Sequence, residues 1–319
     1  MRSWVGVTDW DWYEHLRTLK AVEVNFWQPS GGRRFGALSE GDPFFFKTHY
    51  SRGNRLVGAG LYSGWALLPL SAAWEFFGGA NGCSSLAEMR LRIGRYRRRP
   101  VDLAEDPEIG CVMLDGVRFF EPDEAPAAPP GWASNIVQGR GYDEGPAAEY
   151  LVDVLASLLS PGRSAAPSGV DLAWPASQSV PGPVFDGSRV TTVRVGQRAF
   201  KALVQEAYAR RCAITGDRIV PVLEAAHIRP VAAEGENRLD NGLLLRSDVH
   251  TLFDRGYVGL HPDRRTLMVS PHLRRRWGNG EEFYALEKAG RPITEPKRAL
   301  DRPNRDFLEW HADSVFLRS

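Results

Sequence analysis

The sequence predicts an α+β protein built from two domains, and three observations lead there. Short apolar strands bounded by glycine and proline alternate with helical patterns through residues 1–143. From Pro161 to Gly187 the composition shifts to Pro, Ser, Gly and Ala, as in an interdomain linker. Beyond it lies a strand–turn–strand–helix pattern that carries two histidines. The expected organisation is a first domain over 1–143, a helix and linker over 144–187, and a second domain over 188–319.

In the first domain, Asp11 to Lys20 has helical spacing and Ala21 to Phe26 alternates as a strand. Gly41-Asp-Pro-Phe-Phe-Phe-Lys and Arg55 to Tyr62 are two further strands between turn residues. Ser71 to Phe77 and Ser85 to Arg95 read as helices, the second with Ser84 or Ser85 as cap. Gly110 to Leu114 and Val117 to Phe120 return to strand, and Ala147 to Leu159 is helical. In the second domain, Val195 to Arg211 is amphipathic, with Phe200, Leu203, Val204, Ala207 and Tyr208 on its apolar face. Val220 to Ile228 reads as a strand that Arg229-Pro230 stops. Asp240-Asn-Gly is a turn signal and Leu243-Leu-Leu a second strand. Ser247 or Asp248 would cap a helix through Asp254, and Phe283 to Lys288 is a last helix.

Chemistry concentrates between His227 and Asp254. His227 stands at a strand end, where a neutral imidazole can take a proton from water near pH 7. Asn241 has an amide that can bond backbone on both sides of its turn. His250 and Asp254 are four apart, so they share one helix face and suit a divalent ion such as Mg, Mn or Zn. A base and a metal together suit hydrolysis of a phosphodiester.

Joint occurrence of Ala-His-Ile-Arg-Pro, Asp-Asn-Gly-Leu-Leu-Leu and His-Thr-Leu-Phe-Asp-Arg-Gly in about thirty residues resembles the HNH nucleases. The resemblance implies a ββα-metal fold with one divalent metal per site. It implies His227 as general base, Asn241 as the loop-fixing residue, and His250 and Asp254 as metal ligands. Two departures stand out. Many relatives carry a ligand just before the base, where this chain has Ala226, and Glu224 is an extra candidate. Some relatives have a zinc staple of two CxxC pairs, whereas here only Cys212 is near, and it reads as a buried thiol in a turn.

Seven of the ten tryptophans lie in the first 143 residues. Three stand beside polar residues near turns or strand ends, at Asn25-Phe-Trp27, Tyr62-Ser-Gly-Trp65 and Trp132-Ala-Ser-Asn135. Flat rings and amides are what a flipped base needs. Gly41-Asp-Pro-Phe-Phe-Phe-Lys, Leu56-Val-Gly-Ala-Gly-Leu-Tyr and Trp74 are similar to the EVE branch of the PUA superfamily, a small β-barrel related to SRA and YTH modified-base readers. That resemblance implies a base pocket, which we place at Trp27, Tyr62 and Trp74 with Asn25 as polar contact. Fused to an HNH domain, such a reader implies cleavage of double-stranded DNA carrying 5-methylcytosine or 5-hydroxymethylcytosine.

The 319 residues are 43% hydrophobic and 25% charged, ordinary globular material. Three scattered cysteines make no disulfide framework, and no apolar run is long enough to span a membrane, so a cytoplasmic protein is expected. Residues 188–319 hold 23 Lys and Arg against 17 Asp and Glu, a net +6, while 1–187 hold 17 against 22, a net −5. The basic half is the one with the nuclease pattern, as phosphate contact requires. Arg90, Arg92, Arg95, Arg97, Arg98 and Arg99 form a local cluster that is either a phosphate-contacting face or a solvated helix end. One HNH site cuts one strand, so a homodimer is the simple route to a double-strand break. Alternatives are a nuclease acting on RNA or unmodified DNA, and a non-catalytic modified-base binder with a degenerate HNH domain.

Overall fold

A computed structural model describes residues 2–98, 101, 102, 104–159 and 196–318. The expected linker falls almost wholly outside them. The chain divides into two compact units, 1–199 and 200–319.

The first unit contains β1 (Ser3–Thr8), α1 (Trp10–Leu19), β2 (Glu23–Gln28), β3 (Pro43–Thr48), β4 (Leu56–Pro69), α2 (Leu70–Phe77), α3 (Leu86–Arg97), β5 (Glu108–Phe119), β6 (Gly139–Tyr142) and α4 (Pro146–Leu159). Six strands form one sheet in the order β2-β5-β4-β3-β1-β6, parallel only between β1 and β3. The barrel expected from the sequence is not closed. The strands β2 and β6 are the two edges, and no ladder joins them among the described residues.

The sheet forms because Phe44, Phe45 and Phe46 are buried on a strand with neighbours on both sides. Phe46 packs on Trp12 at 5.0 Å and on Phe119 at 5.7 Å, while Phe26 packs on Phe44 at 4.9 Å. Tyr13 of α1 closes this face, and its hydroxyl donates to the Phe120 carbonyl at 2.7 Å. Leu151, Val154, Leu155 and Leu158 of α4 join the same core. Two strands run longer than the sequence suggests. The strand expected to end at Tyr62 continues through Gly64 to Pro69 in β4. A Cβ at Gly60 would stand 2.6 Å from the Val117 side chain, so glycine there permits close pairing with β5. The edge strand β6 and the Gly-containing β1 carry too little pattern to be read ahead of the structure.

The arginine cluster on α3 is mostly committed to the fold. Arg90 donates to the carbonyls of Asp102 and Glu105, and Arg97 to those of Pro29 and Glu108. Arg92 pairs with Glu88 at 2.6 Å. Arg90, Arg92 and Arg97 are thus engaged within the first unit. Arg99 lies outside the described residues.

The second unit contains most of α5 (Gln197–Ala207), then β7 (Leu223–His227), β8 (Gly242–Arg246), α6 (Ser247–Asp254), β9 (Val258–Leu260), β10 (Leu267–Val269), α7 (Pro271–Trp277), α8 (Glu281–Ala289) and α9 (Arg305–Ser314). Pro221 keeps Val220–Val222 in a 3₁₀ turn, so the first strand starts later than expected. The residue preceding α6 is Arg246 and makes no side-chain cap, in place of the expected Ser247 or Asp248. No helix among the described residues is long and apolar enough to cross a membrane.

Phe46→Ala should cost the first unit roughly 3–5 kcal/mol, as a large ring leaves a cavity among four others. Urea unfolding followed by tryptophan fluorescence reads this. A loss under about 1 kcal/mol would mean that the neighbouring rings collapse into the space.

Candidate active site on the β7–β8 hairpin and α6

Antiparallel β7 and β8 place His227 opposite Gly242, one residue after Asn241. Asn241 is fully buried. Its Nδ2 donates to the carbonyls of Arg229 at 2.9 Å and Glu236 at 2.8 Å, and its Oδ1 accepts from the Arg229 amide at 2.9 Å. These three bonds tie both ends of the 229–236 loop to the start of β8. Only Ile228 separates the loop from His227, so the amide helps set where that ring stands.

The glycine after Asn241 has a second use. Sequence reading gives Gly242 to a tight turn, but its φ is −117°, ordinary extended backbone. What requires glycine is α5. A Cβ at Gly242 would stand 2.7 Å from Val204 and 3.1 Å from the Phe200 ring. That close approach lets Phe200 stack on His227, with centroids 4.2 Å apart and planes 9° apart. Tyr208 of the same region donates to the Gly242 carbonyl at 3.1 Å.

Burial beneath Phe200 depresses the basicity of His227, because charge is costly there, and the nearby His250 adds to the effect. The Asn237 hydrogen bond and Asp254 act the other way. At neutral pH the ring is therefore uncharged. Asn237 Oδ1 stands 2.8 Å from Nε2. A carbonyl oxygen only accepts, so Nε2 carries the proton and the Nδ1 lone pair is left for a proton from water. Asn237 was not singled out in the sequence. Only its distance from His227 in space reveals it.

His250 projects from α6 between two carboxylates. Its Nδ1 lies 2.7 Å from Glu224 Oε2, and its Nε2 lies 3.4 Å from Asp254 Oδ2. Glu224 comes from β7, His250 and Asp254 from one face of α6. The two carboxylates stand on opposite nitrogens of the ring, so they do not converge on one point. Among the described residues no group of three His, Cys, Asp or Glu side chains is arranged to hold a metal ion. What the site offers a divalent ion is one imidazole nitrogen and one carboxylate at a time. Magnesium and manganese accept such a pair when phosphate and water complete the shell.

Cys212 is buried nearby, and its sulfur accepts from the amides of Thr215 and Arg246 at 3.5 and 3.4 Å.

The residues expected to form a base pocket are not brought together. Asn25 and Trp27 point to one face of β2, where the 78–81 turn covers them. Asn25 is fully buried and donates to Asn81 Oδ1 at 2.9 Å, while Trp27 Nε1 donates to the Asn81 carbonyl at 2.9 Å. Tyr62 belongs to the opposite, phenylalanine-lined face through Phe35 at 5.6 Å. Trp74 is half-buried on α2. Asn25 and Trp27 thus share one face of β2, Tyr62 joins the phenylalanine-lined face and Trp74 stands on α2.

Residues 212–261 match the family model described as HNH endonuclease, so the second unit carries an HNH endonuclease domain. No curated protein matches the chain. Among solved structures the chain is similar to ASCH from Zymomonas mobilis, with 9% identity and a TM-score of 0.32 over 48% of this chain and 94% of that one. Two single-substitution mutants of the same protein match at the same identity and TM-score, over 97% and 95% of their length.

Asn241→Ala should lower the stability of the second unit by about 2–4 kcal/mol, since it strands three backbone groups. Denaturant titration measures it. A change within about 0.5 kcal/mol would show that water takes over these bonds.

Proposed function

We propose that this chain is a DNA endonuclease that hydrolyses phosphodiester bonds at the β7–β8 hairpin and α6. The observation that carries this reading is the neutral, oriented imidazole of His227 beside the His250 and Asp254 pair. His227 Nδ1 takes a proton from water as the water oxygen attacks phosphorus, and the bond to the leaving oxygen breaks opposite it. His250 and Asp254 would hold the divalent metal, Mg or Mn, with Glu224 as the other carboxylate within reach of the same ring. When bound, that ion supplies positive charge against the developing negative charge on phosphate and leaving oxygen. Asn241 holds the loop and Asn237 holds the tautomer, so neither touches the reacting atoms.

The finer reading is dependence on modified cytosine. It is supported by the aromatic-rich first unit joined to an HNH domain. On this reading the substrate is double-stranded DNA with 5-methylcytosine or 5-hydroxymethylcytosine, and two copies of the chain give a double-strand break. A second reading, a DNA binder without hydrolytic activity, is favoured by Ala226 and by the divergent carboxylates around His250.

Cleavage of matched duplexes holding cytosine, 5-methylcytosine or 5-hydroxymethylcytosine, with Mg or Mn, separates these readings. Cutting of a modified duplex alone is expected. Equal cutting of all three would keep the hydrolase and remove the modified-base reading. Binding with no cutting in either metal would select the second reading. His227→Ala should reduce cutting at least about a hundredfold while DNA binding stays within about twofold. An equal fall in binding would make His227 structural.

Because the base works only when unprotonated and burial lowers its pKa, the midpoint of the acid limb of cutting should lie below the ordinary imidazole value of 6.5. Activity is then lost through a lower apparent value. A pH–rate profile whose acid limb lies above 6.5 would exclude His227 as the base.

A further inference from the structure

The helix α9 lies beyond residues 212–261, so the family match gives it no part in the site. Asn304, Phe307, Trp310 and His311 follow the three-and-four spacing of a helix and share one face. Asn304, which caps α9, donates its amide to the Asp240 carbonyl at 2.8 Å and its Nδ2 to the Asp240 carboxylate at 3.3 Å, beside Asn241. The Phe307 ring stands under the Arg238 guanidinium at 5.7 Å. The Trp310 ring stands under the Arg229 guanidinium at 5.5 Å. Arg229 is also the residue whose amide and carbonyl Asn241 ties down. One face of α9 therefore meets both ends of the loop that follows His227.

His311 meets the other half of the site. Its buried ring stacks on Phe253, with centroids 3.8 Å apart and planes 12° apart. Its Nε2 lies 3.1 Å from the Phe253 carbonyl, and since a carbonyl only accepts, Nε2 carries the proton. Burial pushes the pKa down to about 4, so the ring is neutral at pH 7. Phe253 stands between His250 and Asp254 on α6. Its carbonyl already accepts from the Gly256 amide at 3.0 Å, so the imidazole is not needed to satisfy it. An apolar side chain would fill the same space without burying a polar ring. What the N–H adds is direction: it fixes the last turn of α6, which aims His250 and Asp254. Beyond α9, the Leu317 amide donates to the Gly256 carbonyl at 2.9 Å and holds the end of the same turn.

We propose that α9 registers the two halves of the site against each other, with His311 positioning the His250 and Asp254 pair and Trp310 positioning the loop that holds His227. The inference rests on the reading of the second unit as a metal-assisted nuclease. Trp310 and His311 are consecutive, so one helical turn sets the separation of base and metal pair. Neither side chain touches the reacting atoms. A misplacement of about 1 Å can cost roughly a hundredfold in rate, which is the error such a brace prevents. Groups that orient metal ligands from behind are typically worth about 10–100-fold in metal affinity or activity.

The test uses the full chain. Mn²⁺ binding without DNA is followed by electron paramagnetic resonance of the free ion, and cutting is followed on the duplex that the wild type cuts. His311→Phe keeps the stack on Phe253 and removes the donor. It should raise the Mn²⁺ midpoint about tenfold and lower kcat at least as much, with KM for duplex within about twofold. His311→Gln returns an N–H and should bring the midpoint back to within about threefold of wild type. Trp310→Leu acts on the base side, so it should lower kcat about fivefold or more and leave the midpoint within about twofold. Thermal melts set a temperature at which each variant is folded. If His311→Phe does not fold, kcat and midpoint of Trp310→Leu decide. Variants that melt earlier yet keep wild-type kcat and midpoint while folded would make α9 plain packing and overturn the proposal. If the wild type binds Mn²⁺ without cutting, the midpoints alone decide. A wild type that neither binds Mn²⁺ nor cuts would remove the nuclease reading and this inference with it, whereas an active wild type with unaffected variants would remove this inference alone.

Discussion

The buried amide of Asn241 is the constraint on which the candidate active site depends. One side chain satisfies three backbone groups of a loop that would otherwise bury them unpaired. Because that loop begins two residues after His227, its rigidity is passed on to the imidazole. The ring is then held on two further sides, by Phe200 against its face and Asn237 at Nε2. Gly242 makes the first of these contacts sterically feasible, since any larger residue would push α5 off the hairpin. The chemistry of His227 is thus a product of packing. Burial keeps it neutral, and the amide hydrogen bond chooses its open nitrogen.

His250 shows a different arrangement. It sits between Glu224 and Asp254, and each carboxylate faces a separate nitrogen. Such a ring is oriented tightly but not surrounded on one side.

In the first unit the aromatic residues divide by face. Phe26, Phe44, Phe46, Phe119 and Trp12 pack through edge, tilted and stacked contacts and build the core. Asn25 and Trp27 serve the 78–81 turn on the reverse side. Trp132 is used in neither way. It lies 4.8 Å from the ammonium of the buried Lys47.

What the sequence by itself determined is local. His227, Asn241, His250 and Asp254 fall within one strand–turn–strand–helix, so their neighbourhood follows from short-range connectivity and helical spacing. The α+β class and most helices were legible for the same reason, in periodicity and turn residues. The tertiary structure alone decided the rest. Gly242 was read as part of a turn but answers the close approach of α5. Asn237 and Glu224 acquire their partners only when loop and helix come together. Residue type told nothing of which face of the sheet Trp27 or Tyr62 would join, because alternation fixes faces within a strand and not between strands. The pairing of Lys47 with Trp132 joins segments far apart in the chain, and no local pattern encodes it.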